Sequence, residues 1–404
     1  MIDMADFGFL RVQVLPCTPV TLDALICAVK ESLDQHYEGD LPPALFVVGA
    51  HVNPEEAARE VTELDVPKRT GLLMRTSGST TGGGKIVAHS WDALIASANA
   101  THDALNGPGV WMSDLPLHHI AGFQTVLRSV LAGAEPVLLR LYNPAQVKEK
   151  VAEARERYGE DFPLYFSVVP PQLKQIMETP ELLDALRGTI FLVGGAAVHP
   201  ELLDAAREAG IDIRVSYGMT EACGGCVYDG VPIGDTEVSI AENGRISVTG
   251  SVVSLGYAGN VEPEAFTIVK GEPRTHHSND AGRMVDGKLE VLGRLDDAIL
   301  SGGLTIMPRE IENAIISEFA VPTVVVAMPH PKWDKAAVAV TESPLDETQV
   351  RARIKEKLGP GWQPYRVVSL ANLGFEDWPR THSTKLDRRT LRERAHVYFD
   401  SGND

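Results

Sequence analysis

The chain has 404 residues, 44% hydrophobic and 23% charged, so it holds enough apolar material for a sizeable core and length for two or three domains. Lys plus Arg number 37 against 55 Asp plus Glu, a net charge of −18, which argues against duplex nucleic acid and against a polybasic hold on an anionic membrane. No apolar run approaches the ~18 residues of a membrane span. Asp3 and Asp6 stand where a signal peptide carries Lys or Arg, and four cysteines fit a reducing compartment, so the expected home is the cytoplasm.

In chain order, helical periodicity over 22–33 precedes a short apolar run at 44–48 that suits a buried strand. From about residue 72 to 217, apolar runs at 72–74, 110–112, 137–139, 164–169, 190–193 and 213–216 alternate with segments of helical spacing. That pattern predicts an α/β region with helices packed on sheets. Past Tyr217 the texture turns to β: 237–240 and 245–249 flank Glu242-Asn243-Gly244, and 283–285 and 288–292 flank Asp286-Gly287, two hairpin signals. A polar joint follows at Gly293-Arg294-Leu295-Asp296-Asp297. Pro308 then opens a helix to about 319, and strands at 321–328, 336–341 and 367–370 bracket a helix at 347–358. The expected fold class is α/β: a large N-terminal α/β domain over 1–295 with packed sheets and a β-rich section, and a small C-terminal α+β domain over 296–404.

The run Thr76-Ser77-Gly78-Ser79-Thr80-Thr81-Gly82-Gly83-Gly84-Lys85 comes directly after the apolar segment 72–74. Glycines let backbone N–H groups wrap an anion, hydroxyls add donors and the lysine adds charge, the set that ATP phosphates need. A flexible linker of this composition has no reason to follow a buried strand and end on a lysine. It is not a Walker A loop, because Ser79 stands where that motif needs glycine and Ile86 where it needs Ser or Thr. With no hydroxyl at 86, a metal ligand must come from elsewhere. Cys223-Gly224-Gly225-Cys226 lacks the second pair that a zinc site needs, since Cys17 and Cys27 are distant and wrongly spaced.

The string TSGSTTGGGK resembles the phosphate loop of the adenylate-forming superfamily of acyl-CoA synthetases, luciferases and peptide-synthetase adenylation domains. Further matches appear in that family's order: Leu115-Pro116-Leu117-His118-His119-Ile120-Ala121-Gly122, Gly194-Gly195-Ala196-Ala197, Tyr217-Gly218-Met219-Thr220-Glu221, Asp280, Gly293-Arg294-Leu295-Asp296-Asp297 with Ser301-Gly302-Gly303, and Thr384-Lys385-Leu386-Asp387-Arg388. Together they cover about residues 70–390. The family often has Thr-Gly-Asp where this chain has Ser278-Asn279-Asp280, and Gly where it has Thr384. Within the superfamily the short region before the phosphate loop, the paired histidines and the segment 220–230 are similar to the o-succinylbenzoate–CoA ligases of menaquinone biosynthesis.

The resemblance implies an AMP-forming acid–thiol ligase that uses ATP, Mg²⁺ and coenzyme A. It implies phosphate contacts from Thr76, Ser77, Gly78, Ser79, Thr80, Thr81, Gly82 and Lys85. The adenine side would be built by Gly194, Gly195 and Ala196, with Tyr217 and Gly218 beside it. Asp280 would take the ribose hydroxyls, assisted by Arg294. Thr220 would meet the α-phosphate, and Glu221 would supply the oxygen ligand for Mg²⁺ that Ile86 cannot. His119, Gly122 and Met219 would line the acyl pocket, with His118 the alternative to His119. Lys385 would steady the charge between acyl carboxylate and α-phosphate. Asp296 would be the hinge, and Gly302 and Gly303 the loop of the thiol step. The expected partners are small molecules, a carboxylic acid, ATP and CoA, with no nucleic acid and no membrane span; a homo-oligomer stays open. Another aryl or fatty acid, a carrier-protein phosphopantetheine in place of CoA, and a non-catalytic nucleotide-binding regulator are the alternative readings. The last has no need of Lys385.

Overall fold

Helix starts are written locally. Asn53, Ser90 and Asn143 each accept a backbone N–H from the first turn that follows, with Ser90 Oγ 3.2 Å from Ala93 N and Asn143 Oδ1 3.2 Å from Gln146 N. Pro54 and Pro144 occupy the first helical position, where a missing N–H costs nothing. The computed structural model of the chain describes residues 11–17, 21–76, 84–380 and 386–401. Contacts divide the chain into two units. The first takes 1–239, 247–278 and 285–289; the second takes 240–246, 279–284 and 290–404.

In the first unit a five-stranded sheet runs in the order Val12–Cys17, Ala44–Gly49, Leu72–Arg75, Ile86–His89, Gly256–Tyr257. Its first three strands are parallel and its last two antiparallel. A seven-stranded sheet runs Val231–Pro232, Gly224–Tyr228, Asp212–Met219, Ile190–Val193, Leu164–Val168, Val110–Ser113, Val137–Leu138, with the last five parallel.

The helix Trp91–Ala104 lies between these sheets. Its Ala93, Leu94 and Ala98 pack with Leu45, Val47, Leu72 and Met74 of the first sheet, while Ala100 packs with Trp111, Tyr165 and Tyr228 of the second. Ile120–Leu131 joins the first cluster through Ile120, Phe123, Val126 and Leu127. Each such fully buried side chain contributes roughly 1.5–3 kcal/mol of transfer free energy. The far face of the second sheet is covered by Pro144–Tyr158, Pro170–Glu178, Pro180–Ala185 and Pro200–Glu208.

The β-rich section carries the expected turns. Gly244 has φ 82°, and Asp286 and Gly287 have φ 49° and 76°, the left-handed pair of a two-residue hairpin loop between Thr275–Val285 and Lys288–Arg294. In the second unit Thr323–His330 and Asp334–Thr341 pair antiparallel, and Arg366–Ser369 adds in parallel. Strand alternation divides the core: Val325, Ala337 and Ala339 face the helices Pro308–Phe319 and Glu347–Leu358, while Val324, Val326, Val338 and Val340 face Arg388–Asp400.

Candidate active site

A central strand of a seven-stranded sheet is ordinarily buried on both faces. Asp212–Met219 is not: Arg214, Val215, Ser216, Tyr217 and Met219 are half-exposed and Gly218 is exposed. The loops at the carboxyl ends of its parallel neighbours, from Val169 and Gly194 onward, sit beside it, and Gly194 N donates to Val168 O at 3.1 Å. Carboxyl ends of parallel strands are where open α/β sheets hold ligands.

Close approach excludes a side chain at Gly218 and leaves little room for one at Gly194. A Cβ on Gly218 would lie 1.9 Å from Gly224 O, and one on Gly194 3.1 Å from Ser216 O. Gly195 takes φ 77°, while Ala196 is exposed beside it. Thr220-Glu221-Ala222 then forms a short 3₁₀ turn ending at Cys223, itself at φ 56°.

Around Glu221 the structure assembles residues distant in sequence. Tyr257 Oη donates to Glu221 Oε1 at 2.7 Å, and Ser254 N donates to Glu221 O at 2.9 Å. Tyr257 stands on the edge strand opposite Val87, two residues after Lys85. Lys85 Nζ therefore lies 4.7 Å above the Tyr257 ring, and it forms an ion pair with Glu262. Phe266 packs edge-on against Tyr257 at 5.2 Å and against the His276 ring at 4.7 Å. Burial lowers the His276 pKa, against which Glu221 acts to raise it.

Ser77, Gly78, Ser79, Thr80, Thr81 and Gly82 lie outside the described residues, but the base of their loop is described. Thr76 N donates to Lys85 O at 2.8 Å, continuing the antiparallel pairing of Arg75 with Ile86. A Cβ on Gly84 would sit 2.1 Å from Thr76 O, so this position admits only glycine.

At the next strand end, His119 begins the helix Ile120–Leu131, and Gly122 lets that helix close on the preceding turn, where a Cβ would lie 2.3 Å from Pro116 O. The His118 and His119 rings are 4.5 Å apart. Burial, then His119 and His51, push the His118 pKa down to about 4. Deeper in the same unit, His89 Nδ1 meets the Cys223 Sγ at 3.3 Å, and burial holds His89 at about 3 and the Cys223 thiol far above its usual range. Both are neutral at physiological pH and form part of the core. Met219 is half-buried at the end of its strand.

The second unit holds the remaining residues. Arg294 makes two hydrogen bonds to Asp296, at 2.9 and 3.0 Å, and Asp280 acts on the same guanidinium, so the three are brought together. Burial raises the Asp296 pKa, but Arg294 more than reverses it and leaves the carboxyl below its usual range. Gly302 and Gly303, at φ 56° and 89°, form the two-residue turn between Ile299–Ser301 and Leu304–Ile306, with Gly302 against Trp333.

Lys385 lies outside the described residues, whereas the residues on either side of 381–385 are described. Arg380 bridges to Leu386, and Asp387 N donates to Pro379 O at 2.8 Å. Asp387 then caps the helix Arg388–Asp400, whose first residue pairs with the buried Glu312 and donates to Val325 O. Tyr257, Glu262, His276, His51 and Glu312 stand in no recognisable string, and although Arg388 closes the string 384–388, nothing in that string points to its pairing with Glu312.

The family model of AMP-binding enzymes matches residues 48–255. The chain belongs to the AMP-binding enzymes. A probable 2-succinylbenzoate–CoA ligase of Mycobacterium tuberculosis is 38% identical over 286 residues, 70% of this chain and 72% of its own length. The 2-succinylbenzoate–CoA ligase of Escherichia coli K12 is 30% identical over 339 residues, 81% of this chain and 70% of its own. Among solved AMP-binding structures, an o-succinylbenzoate CoA synthetase of Bacillus subtilis holding its acyl-adenylate intermediate shares the fold at a TM-score of 0.66 and 24% identity, over 94% of this chain and 87% of that one. As an AMP-binding enzyme the chain is adenylate-forming, and the matched span includes Thr76, Lys85 and Glu221. Among the described residues, no helix is long and apolar enough to cross a membrane.

Proposed function

We propose that the protein joins the carboxylate of o-succinylbenzoate to AMP and passes the acyl group to coenzyme A, a step of menaquinone biosynthesis, in the cytoplasm. A carboxylate oxygen attacks the α-phosphorus of ATP and pyrophosphate leaves. The thiol of CoA then attacks the acyl carbon, loses its proton, and AMP leaves. The observation that carries the choice of acid is the 38% identity with the mycobacterial relative named for it.

In this reading Ser77, Gly78, Ser79, Thr80, Thr81, Gly82 and Lys85 hold the outer phosphates, and Thr220 the α-phosphate. Gly194, Gly195 and Ala196 border the adenine, and Asp280 takes the ribose. His119, Gly122 and Met219 border the acid. Glu221 fits Mg²⁺: it is a half-exposed carboxylate at the strand end, a hard oxygen donor, and Ile86 offers none. The metal supplies charge neutralisation of the polyphosphate, while Lys385 steadies the charge that develops between carboxylate and α-phosphate. Residues 296–404 act as a small domain that turns at Asp296, presenting Lys385 for adenylation and then the Gly302–Gly303 turn for thiol attack.

The test is pyrophosphate exchange and CoA thioester formation across o-succinylbenzoate, benzoate, 4-coumarate and medium-chain fatty acids. We expect kcat/KM for o-succinylbenzoate to exceed the others by at least about tenfold, a transition-state difference near 1.4 kcal/mol. A higher value for a fatty acid or for 4-coumarate overturns the choice of acid and leaves acid activation standing.

A further inference from the structure

Tyr257 joins Lys85 to Glu221, and Glu262 pairs with Lys85; the adenylation chemistry gives neither of these two residues a role. Tyr257 contacts both, giving its hydroxyl to Glu221 Oε1 at 2.7 Å and its ring face to Lys85 Nζ at 4.7 Å. Glu262 pairs with the same ammonium from the turn that follows. It does so from φ 48°, a left-handed backbone conformation uncommon for glutamate. The Lys85–Glu262 pair is open to water, with side chains 38% and 50% exposed. Exposed pairs of this kind are weak and are screened by salt. A carboxylate paired weakly with the lysine that ends the phosphate loop competes with any phosphate oxygen for the same ammonium.

We propose that Glu262 is a placeholder for the polyphosphate: it holds Lys85 in the nucleotide-free enzyme, yields it to ATP, and takes it back as pyrophosphate leaves. Tyr257 is the positioning residue that ties this exchange to Glu221. Its ring gives the ammonium a second favourable surface whichever anion is bound, and its hydroxyl fixes the carboxylate beside it. A weak pair suits the role. A polyphosphate carries several charges against one and displaces the carboxylate readily, yet the carboxylate lowers the cost of uncovering Lys85 when pyrophosphate departs. The inference rests on the adenylation reading for its place in the reaction, but not for the binding it predicts.

The experiment compares wild type, Glu262→Gln, Lys85→Ala and the double variant. Dissociation constants for ATP and for inorganic tripolyphosphate come from calorimetry, and the inhibition constant of pyrophosphate comes from steady-state kinetics. Glu262→Gln keeps the shape and removes the charge. It should tighten all three constants by about two- to fivefold at low salt, the worth of an exposed ion pair. The gain should fade toward ~0.5 M salt, and in the Lys85→Ala background the same change should do nothing. Unchanged or weakened binding in Glu262→Gln overturns the proposal, as does an equal gain without Lys85. Tripolyphosphate that fails to bind wild type overturns it too. If the binding shifts appear but no acid supports exchange, the placeholder stands and the adenylation reading falls.

Discussion

Ile86 leaves the gap that Glu221 is proposed to fill. It follows Lys85 with an apolar side chain that is buried in the strand Ile86–His89, so the loop ends without a hydroxyl for a metal ion. Glu221 offers a carboxylate in the same unit, and the Tyr257 hydrogen bond to Oε1 orients it. Glu221→Gln keeps an acceptor oxygen for Tyr257 and removes the charge. Adenylation should fall by a factor on the order of a hundred, with Mg²⁺ saturation moved to higher concentration, because charge neutralisation is what the ligand secures. Rate measured against Mg²⁺ concentration checks it, and a wild-type profile removes Glu221 from the metal. Glu221 and Lys85 were legible in the sequence because each sits in a contiguous string. Tyr257 and Glu262 were not, because Glu262 reaches Lys85 across 177 positions and only the pairing of strand ends creates the contact.

Elements with caps or clear alternation could be read from the chain. Pro308–Phe319 starts at its proline, and Glu347–Leu358 starts after Asp346, whose side chain accepts from Gln349 N. Two strands carry no such signal: Ile86–His89 follows directly on the glycine run and ends on a histidine, and Gly256–Tyr257 is two residues long, too short for any period. Packing between elements was equally silent. Glu312, on Pro308–Phe319, is 9% exposed as a side chain and accepts from the two terminal nitrogens, Nη1 and Nη2, of Arg388, the first residue of the last helix. Burial alone lowers the Arg388 pKa, and Glu312 more than reverses it. The pair pins the helix that starts three residues after Lys385 against the strand Thr323–His330, through Val325 O. Arg388→Met leaves the Glu312 carboxylate buried without its partner and should destabilise the second unit by on the order of 3 kcal/mol. Adding Glu312→Gln should recover a large part of that loss. Denaturant unfolding followed by a second-unit tryptophan, Trp333 or Trp378, tests both. A single variant that unfolds like wild type shows the pair to be dispensable.

For the whole molecule, the two units divide the groups proposed for the two half-reactions. Lys85, Thr220 and Glu221 belong to the first; Lys385, the Gly302–Gly303 turn and Asp296 belong to the second. The glycine turn joins Ile299–Ser301 to Leu304–Ile306, whereas Lys385 comes about 80 residues later in sequence, just before the last helix. The proposed rotation at Asp296 lets one unit serve both steps in succession. Such a motion is absorbed by a few torsions at an element end, and Leu295–Asp297 is a single 3₁₀ turn with the Arg294–Asp296 pair on its surface. Proline at 296 fixes φ there and restricts Leu295 before it, whereas alanine removes only the carboxylate. The expected outcome is a split. Lys385→Ala should lose acyl-adenylate formation yet convert supplied acyl-adenylate and CoA to thioester. Asp296→Pro should release pyrophosphate in a first turnover yet fail to form thioester, while Asp296→Ala keeps both steps and so separates backbone freedom from the lost ion pair. Single-turnover assays of each half-reaction decide it, with circular dichroism to confirm folding. If Lys385→Ala and Asp296→Pro lose both half-reactions equally while folded, or if Asp296→Ala behaves as Asp296→Pro does, the hinge does not work by rotation at this residue.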